Sequence, residues 1–242
     1  MSNQKCHPGI KDTDFTCYNH KQLKKIAEDL NKKGYNIKIK RSKADLWNEI
    51  RKSMFNKCNN EWCWVNKTNT DLKKDDIFRP KHPNEWIYNR TAWLSNFDIE
   101  DVMDQYEEVY NDFLFIGPVP IDFKLVVNEL ANINLIQLYR KGIRKLGIIF
   151  NLDPHDKGGS HWVSMFLDMT NKKQSNICYY DSYGYLPEQE IIDLMTTLIA
   201  QGNCGFDGTK CNEEEKINIE PLYNGIRHQF KNSECGMYCI YF

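Results

Sequence analysis

Three short apolar segments, at 146–150, 161–168 and 176–182, do most to limit what this chain can become. Each is rich in β-branched and aromatic residues and too short for an ordinary helix. The polar tetrad Thr170-Asn171-Lys172-Lys173 lies between the last two, so they form a hairpin and lie antiparallel. Helical spacing surrounds this block. Leu125, Val126, Leu130, Ile133, Ile136 and Leu138 mark an amphipathic helix over 122–140, and Ile191, Leu194, Met195 and Leu198 mark another over 188–201. The expected fold is α+β, a mainly antiparallel sheet flanked by helices.

Further elements fill in around that core. A continuous apolar run at 113–116 is a buried strand, broken by Gly117-Pro118-Val119-Pro120. Trp93-Leu94-Ser95-Asn96 leads into a helix capped by Asn96 or Asp98, with Ile99, Met103, Tyr106 and Tyr110 on one side. Residues 202–216 form a polar loop, and 217–222 an edge strand.

The front of the chain differs. Residues 1–57 carry 14 Lys and Arg against 6 Asp and Glu, whereas the remainder has 18 against 27. A basic module on an acidic body suggests two parts with different partners. Leu23, Ile26, Ala27 and Leu30 make one helix face, ended by Gly34. Residues 35–39 alternate as a strand does, and Ser42 opens a second helix with Asp45 at the capping-box position. Helix, extended link and helix, rich in lysine, resembles the SAP-type module that meets nucleic acid through phosphate contacts. The organisation expected is a basic helical module at 1–66, a polar linker at 67–84 and a larger domain at 85–242. The polar stretch 66–76 places the boundary.

Nine cysteines is an odd number, irregularly spaced. The N-terminus lacks the apolar core of a secretion signal, so reduced thiols in a reducing, intracellular setting are expected rather than a disulfide framework. Cys6, His7, Cys17 and His20, or Cys58 with Cys63, could be drawn as zinc ligands. No C-x-x-C knuckle occurs, so core and surface thiols are the expectation and no metal is assigned. No apolar run approaches the ~18 residues of a membrane span.

Chemistry gathers near the C-terminal end. Asn232 and Ser233 are N-cap residues, and Tyr238, Cys239 and Phe242 follow Cys235 at helical spacing. A thiol in a first helical turn sits among unpaired N–H groups at the positive end of the dipole, which favours thiolate. The hairpin brings His161, at the start of one strand, to the same sheet edge as Asp181, at the end of its neighbour. Thiol, imidazole and carboxylate suit nucleophilic acyl transfer, with Gln229 available as an oxyanion donor beside the Cys235 N–H. His155 and His228 are rival bases, and Asp168 a rival carboxylate.

These residues carry a resemblance. His161-Trp162, Asp181-Ser182, and Gln229 with Cys235-Gly236 six residues on are similar to the ubiquitin-like-protein-specific cysteine peptidases, relatives of the adenovirus endopeptidase. Within that family Ser95-Asn96-Phe97-Asp98-Ile99, Gly159-Ser160-His161-Trp162-Val163 and Ile226-Arg227-His228-Gln229 resemble large-DNA-virus members, among them the polyprotein-processing protease of asfarviruses.

The resemblance implies a papain-like peptidase domain over 85–242 with Cys235 as nucleophile, His161 as base, Asp181 as its orienter and Gln229 as oxyanion donor. It implies that Trp93 and Trp162 wall a narrow glycine tunnel, giving cleavage after Gly-Gly without a cofactor. Flat indoles leave no room for a Cβ. Asn96 stands where the family's substrate-contacting Asp is found. Family members continue the Cys235 helix beyond the equivalent of Phe242, so a truncated domain is expected. The implied partners are a protein substrate, either a polyprotein or a ubiquitin-like modifier, and nucleic acid at residues 1–57, with no membrane. The implied setting is the host cytoplasm or the virion. An inactive peptidase fold serving as a scaffold is the non-enzymatic alternative.

Overall fold

The computed structural model describes residues 6–10, 15–58, 60–70, 72, 75–205 and 211–242, apart from the side chains at 75, 76 and 87. The chain divides into two compact units, Met1–Lys81 and His82–Phe242. Among the described residues no helix is long and apolar enough to cross a membrane.

In the first unit, α1 (His20–Lys32) starts in a capping box between Asn19 and Gln22 and buries Leu23, Ile26, Ala27 and Leu30. Gly34, at φ +89°, lets the chain turn away. Residues 35–40 are extended without sheet partners. The Asn31 amide substitutes for a neighbouring strand, donating to the Ile37 carbonyl at 2.9 Å and accepting its N–H at 2.7 Å. Ser42 caps α2 (Lys43–Met54), which buries Leu46, Ile50 and Met54.

Two short helices complete this core: α3 (Glu61–Asn66) contributes Trp64 and Val65, and α4 (Asp75–Phe78) contributes Ile77. Part of the stretch expected as a linker therefore packs into the first unit. Positions 71, 73 and 74 of that stretch lie outside the described residues, as do 206–210 of the polar loop. Glu61 is buried and holds its place by accepting the Cys17 N–H at 3.1 Å and the Trp47 indole N–H.

The expectation of reduced thiols is overturned for six cysteines. Disulfides join Cys6 to Cys17, Cys58 to Cys63 and Cys204 to Cys211, with Cα separations of 5.3, 5.6 and 5.4 Å. Cysteines drawn as metal ligands are thus bonded to each other. Such proximity is a product of folding, which irregular sequence spacing does not encode. Cys178, Cys235 and Cys239 are free thiols.

The second unit is built on a five-stranded sheet in the order β1-β2-β3-β4-β5. Its strands are β1 (Phe113–Pro120), β2 (Lys145–Asn151), β3 (Trp162–Asp168), β4 (Ser175–Tyr180) and β5 (Ile219–Tyr223). The sheet is mixed: β2 with β3 and β3 with β4 are antiparallel, while the outer pairs β1 with β2 and β4 with β5 are parallel. β1 does not stop at Gly117. It continues through a register shift between Ile116 and Val119, made possible by Gly117 at φ +139° with the Ile149 carbonyl 3.0 Å from where a Cβ would sit.

Both faces of the central strands are covered, which explains their continuous apolar sequence. Leu146, Ile148, Phe150, Val163, Met165 and Leu167 face one core, against Ile191, Leu194, Met195 and Leu198 of the long helix at Gln189–Gly202. On the other face Phe115 and Ile149 meet Leu94, Ile99 and Cys239.

Helices follow the sequence with three departures. The single helix expected at 122–140 is three short ones: Phe123–Val126, Asn128–Ala131 and Leu135–Arg140. Val127 and Asn134 are extended between them, and the Asn134 side chain accepts the Gln137 N–H to start the last. The helix Asn96–Glu107 is capped by Ser95, with Asp98 completing the box from the N3 position, so neither Asn96 nor Asp98 is the cap. The helix Cys235–Tyr241 begins after Glu234, and neither Asn232 nor Ser233 caps it.

Candidate active site

The hairpin register builds the first half of the site. Ser164 of β3 pairs with Tyr180 of β4, so His161, just before β3, and Asp181, just after β4, share one sheet edge. His161 Nε2 lies 2.8 Å from Asp181 Oδ1. The carboxylate is buried, at 1% exposure, and the same Oδ1 accepts the Tyr183 N–H at 2.8 Å. Asn224 fixes the backbone there, its Nδ2 donating to the Asp181 carbonyl at 2.7 Å.

With Nε2 committed, the other ring nitrogen is left for Cys235, with which His161 shares a side-chain hydrogen bond. Cys235 opens the last helix, whose Glu234 N-cap makes no side-chain cap bond. Its sulfur instead receives the backbone N–H groups of Trp162 and Gly236. The Gly236 N–H is one that a helix start leaves unpaired, and the Trp162 N–H comes from the start of β3.

Electrostatics follow from these contacts. Burial alone would push the Cys235 thiol up, but the His161 hydrogen bond and the Trp162 N–H outweigh it and hold the thiol below its ordinary value. Burial would likewise push His161 down, but hydrogen bonds to Asp181 and Cys235 raise it to about 9. Both shifts favour the pair as thiolate and imidazolium. Cys239, one turn further on and fully enclosed, is pushed the other way by burial and stays a thiol.

Gln229 belongs to the same cluster and is wholly buried. Ser182 donates to its Oε1 at 2.6 Å, and its Nε2 donates to the Lys231 carbonyl at 2.6 Å and the Tyr183 hydroxyl at 3.3 Å. Both amide hydrogens are therefore engaged within the site's own wall.

The expected indole pair is divided. Trp93 is exposed and lines a cleft of ≈ 700 Å³ together with Tyr183, Arg227 and Phe230. Trp162 is not part of that lining. Its Nε1 donates to the Leu94 carbonyl at 3.1 Å, and it packs on Gly236, where an added Cβ would come within 3.3 Å of the ring. Asn96 is exposed in the first turn of its helix.

The rivals are elsewhere. His155 has its own carboxylate, Asp122, at 2.6 Å in an exposed pair. His228 lies against the Tyr180 ring at 5.9 Å. Asp168, at the far end of β3, accepts the Thr170 N–H in a turn.

Tyr183 was not anticipated. It joins three of the four candidate residues: its N–H reaches Asp181, its ring lies 5.0 Å from that of His161, and its hydroxyl meets Gln229. The signal was Gly184. At φ +79°, with the Ile226 carbonyl carbon 2.9 Å from a would-be Cβ, it presses the Asp181–Gly184 turn onto the 225–227 segment.

The chain is similar in sequence and fold to viral proteases. A protein of Acanthamoeba polyphaga mimivirus, named as a thiol protease, is 38% identical over 170 residues, or 70% of this chain and 52% of that protein. The chain thus spans about half the length of that relative. A SUMO-1 cysteine protease of African swine fever virus is 23% identical over 225 residues, covering 84% of this chain and 78% of the relative. A crystal structure of an African swine fever virus protease superposes with a TM-score of 0.55 at 21% identity, over 98% of this chain and 83% of that one. No family model matches the chain. The resemblance to viral thiol proteases holds in sequence, and the α+β fold is the one that the swine fever virus enzyme adopts.

Proposed function

We propose that this chain is a viral thiol endopeptidase that cleaves after Gly-Gly in structural polyprotein precursors, with Cys235 as nucleophile. The observation that carries this reading is the single imidazole of His161 bonded on one side to a buried carboxylate and on the other to a thiol at a helix start. The Cys235 thiolate attacks the scissile carbonyl carbon, and the imidazolium then gives its proton to the departing amine. The resulting thioester is hydrolysed by a water that His161 deprotonates, which restores thiolate and imidazolium. Asp181 fixes the tautomer and ring orientation throughout.

Oxyanion stabilisation falls to the Cys235 N–H, at the uncapped helix start, and to Gln229. Gln229 serves by exchanging its longer bond, the one to Tyr183, for the developing oxyanion. Trp162 packed on Gly236 beside Cys235, with the exposed Trp93 indole lining the cleft, supports a preference for residues without a side chain.

A second reading, removal of ubiquitin-like modifiers, is favoured by the swine fever virus relative, which is named a SUMO-1 cysteine protease. We also read the basic first unit as a separate module that contacts nucleic acid. The three disulfides favour a virion or other oxidising setting over a reducing cytosol.

An electrophilic Gly-Gly vinyl-sulfone probe tests the chemistry. Labelling of wild type that disappears in Cys235→Ala and His161→Ala is expected, and labelling that survives Cys235→Ala places the nucleophile elsewhere. Side-by-side digestion of a Gly-Gly-X precursor peptide and of SUMO or ubiquitin fusions separates the two substrates. Cleavage of the fusions alone reverses their ranking.

A further inference from the structure

We propose that the cleft beside His161 is an acid-selecting subsite, in which Arg227 and Lys231 receive a carboxylate side chain of the polypeptide substrate. This deepens the peptidase reading and rests on it for the identity of the ligand as a polypeptide.

The guanidinium of Arg227 is held in place although the residue is exposed. It lies 5.1 Å from the centroid of the Tyr183 ring and 5.4 Å from that of Phe230, and its Nε donates to the Gln229 carbonyl at 2.7 Å. A side chain fixed by two rings and one hydrogen bond has already lost the rotamer freedom that an exposed arginine would lose on binding an anion. Its terminal N–H groups keep no carboxylate partner among the described residues, and neither does Lys231.

Both cations line the ≈ 700 Å³ cleft, whose other walls are the neutral Thr91, Trp93, Asn232 and Ser233 with the two aromatic rings. Among the described residues no acidic side chain lines it, and Glu234, the nearest carboxylate along the chain, is outside the lining. The cleft also borders the reacting groups. Tyr183 packs on the His161 ring, and Ser233 stands two residues before Cys235. At about 3.3 Å per residue, an extended substrate crossing Cys235 brings a side chain within a few positions of the cut into the cleft. An oriented guanidinium without a counter-charge, flanked by a lysine and faced by neutral walls, selects a carboxylate.

The test uses the full chain carrying Cys235→Ala and fluorescent Gly-Gly peptides. Glu, Gln or Lys is placed in turn at each of the three positions on either side of the cut, and dissociation constants are compared. At one position, Glu is expected to bind about tenfold more tightly than Lys, with the advantage shrinking as salt is raised. Lys231→Glu, whose side chain holds nothing in the fold, should reduce that ratio severalfold. Arg227→Gln should abolish it and Arg227→Glu should invert it. Each ratio is taken within one variant, so partial misfolding cancels.

Equal binding of Glu and Lys peptides at every position, or no binding of any, overturns the subsite. So does a preference indifferent to both Arg227 and Lys231. The same peptides with Cys235 restored separate this from the peptidase reading. Cleavage without discrimination sinks the subsite and leaves the peptidase. Charge-selective binding with no cleavage leaves the subsite and sinks the peptidase.

Discussion

Two histidines six positions apart in the sequence each hold a carboxylate, and only one of them is placed to do chemistry. His155 meets Asp122 at 2.6 Å with half of its side chain in water, while His161 meets Asp181 at 2.8 Å with 14% and 1% of the two side chains exposed. The contact is nearly the same, and the surroundings are not. His155 is raised by Asp122, as any exposed ion pair would raise it, and solvent and salt screen the interaction. His161 is desolvated, its second nitrogen is turned to a thiol, and its partner is fixed from behind by a backbone N–H. Burial and a third group, rather than the pair itself, separate a catalytic imidazole from a surface latch.

The sharpest way to break that comparison is to remove each imidazole. His161→Ala should lower hydrolysis of a Gly-Gly peptide by about 10³-fold or more, because the thiol loses both its ionisation and its proton carrier. His155→Ala should leave the rate within about twofold, as expected of a surface substitution. Equal losses in steady-state kcat/KM would mean that the exposed pair also takes part. One step smaller are the carboxylates. Asp181→Asn should cost about 10²-fold or more in kcat by freeing the imidazole's tautomer, and Asp122→Asn should cost nothing measurable.

pH offers a second contrast, between Cys235 and Cys239. His161 is raised from 6.5 to about 9, so the stabilisation from its charged form is complete below pH 6.5 and is lost as pH climbs through about 9. Cys235 is lowered from 9.0, so its contribution is present above 9.0 and is lost as pH falls through its depressed value. The two charges coexist between that depressed value and about 9. Iodoacetamide should therefore modify Cys235 well below the ordinary thiol range, while hydrolysis declines above pH about 9 as the general acid is lost. Cys239, enclosed and pushed up, should stay unmodified until the chain unfolds. Peptide mapping after alkylation without reductant should also find the three disulfides intact. Modification of Cys239 at the same rate as Cys235 would undo the distinction.

Much of this was legible in the residues, and the reasons are local. Short apolar runs rich in β-branched and aromatic residues, with the polar turn at 170–173, announced the hairpin, and its register placed His161 beside Asp181. The Leu23–Leu30 face and the Ser42 cap were equally plain. What failed depended on contacts that periodicity does not describe. The stretch 122–140 has one helical period, yet Asn134 restarts the chain with its own cap, an option that periodicity does not register. Gly117-Pro118 reads as a breaker, although an edge strand absorbs it as a bulge. Which cysteines join, and that Lys231 and Tyr183 engage Gln229, depend on the folded path of the chain. Spacing has no way to carry them.

The smallest effect probes how the buried pair is tied to Gln229, the proposed oxyanion donor, a link that the exposed pair lacks. Tyr183→Phe keeps the ring against His161 and Arg227 and deletes one hydroxyl, which accepts from Gln229 Nε2 at 3.3 Å and donates to the Lys231 carbonyl at 3.2 Å. A net hydrogen bond of about 0.5–1.5 kcal/mol corresponds to a change of roughly two- to tenfold. If the hydroxyl holds the Gln229 amide ready for the oxyanion, kcat should fall within that range while KM and the pH profile stay put. Rescue by Tyr is trivial, but Tyr183→Trp, with an N–H in place of the O–H, cannot accept from Gln229 and should not recover kcat. A rise in kcat for Tyr183→Phe would show the opposite arrangement. The hydroxyl would then be competing with the oxyanion for that hydrogen, and the site would be holding its donor back.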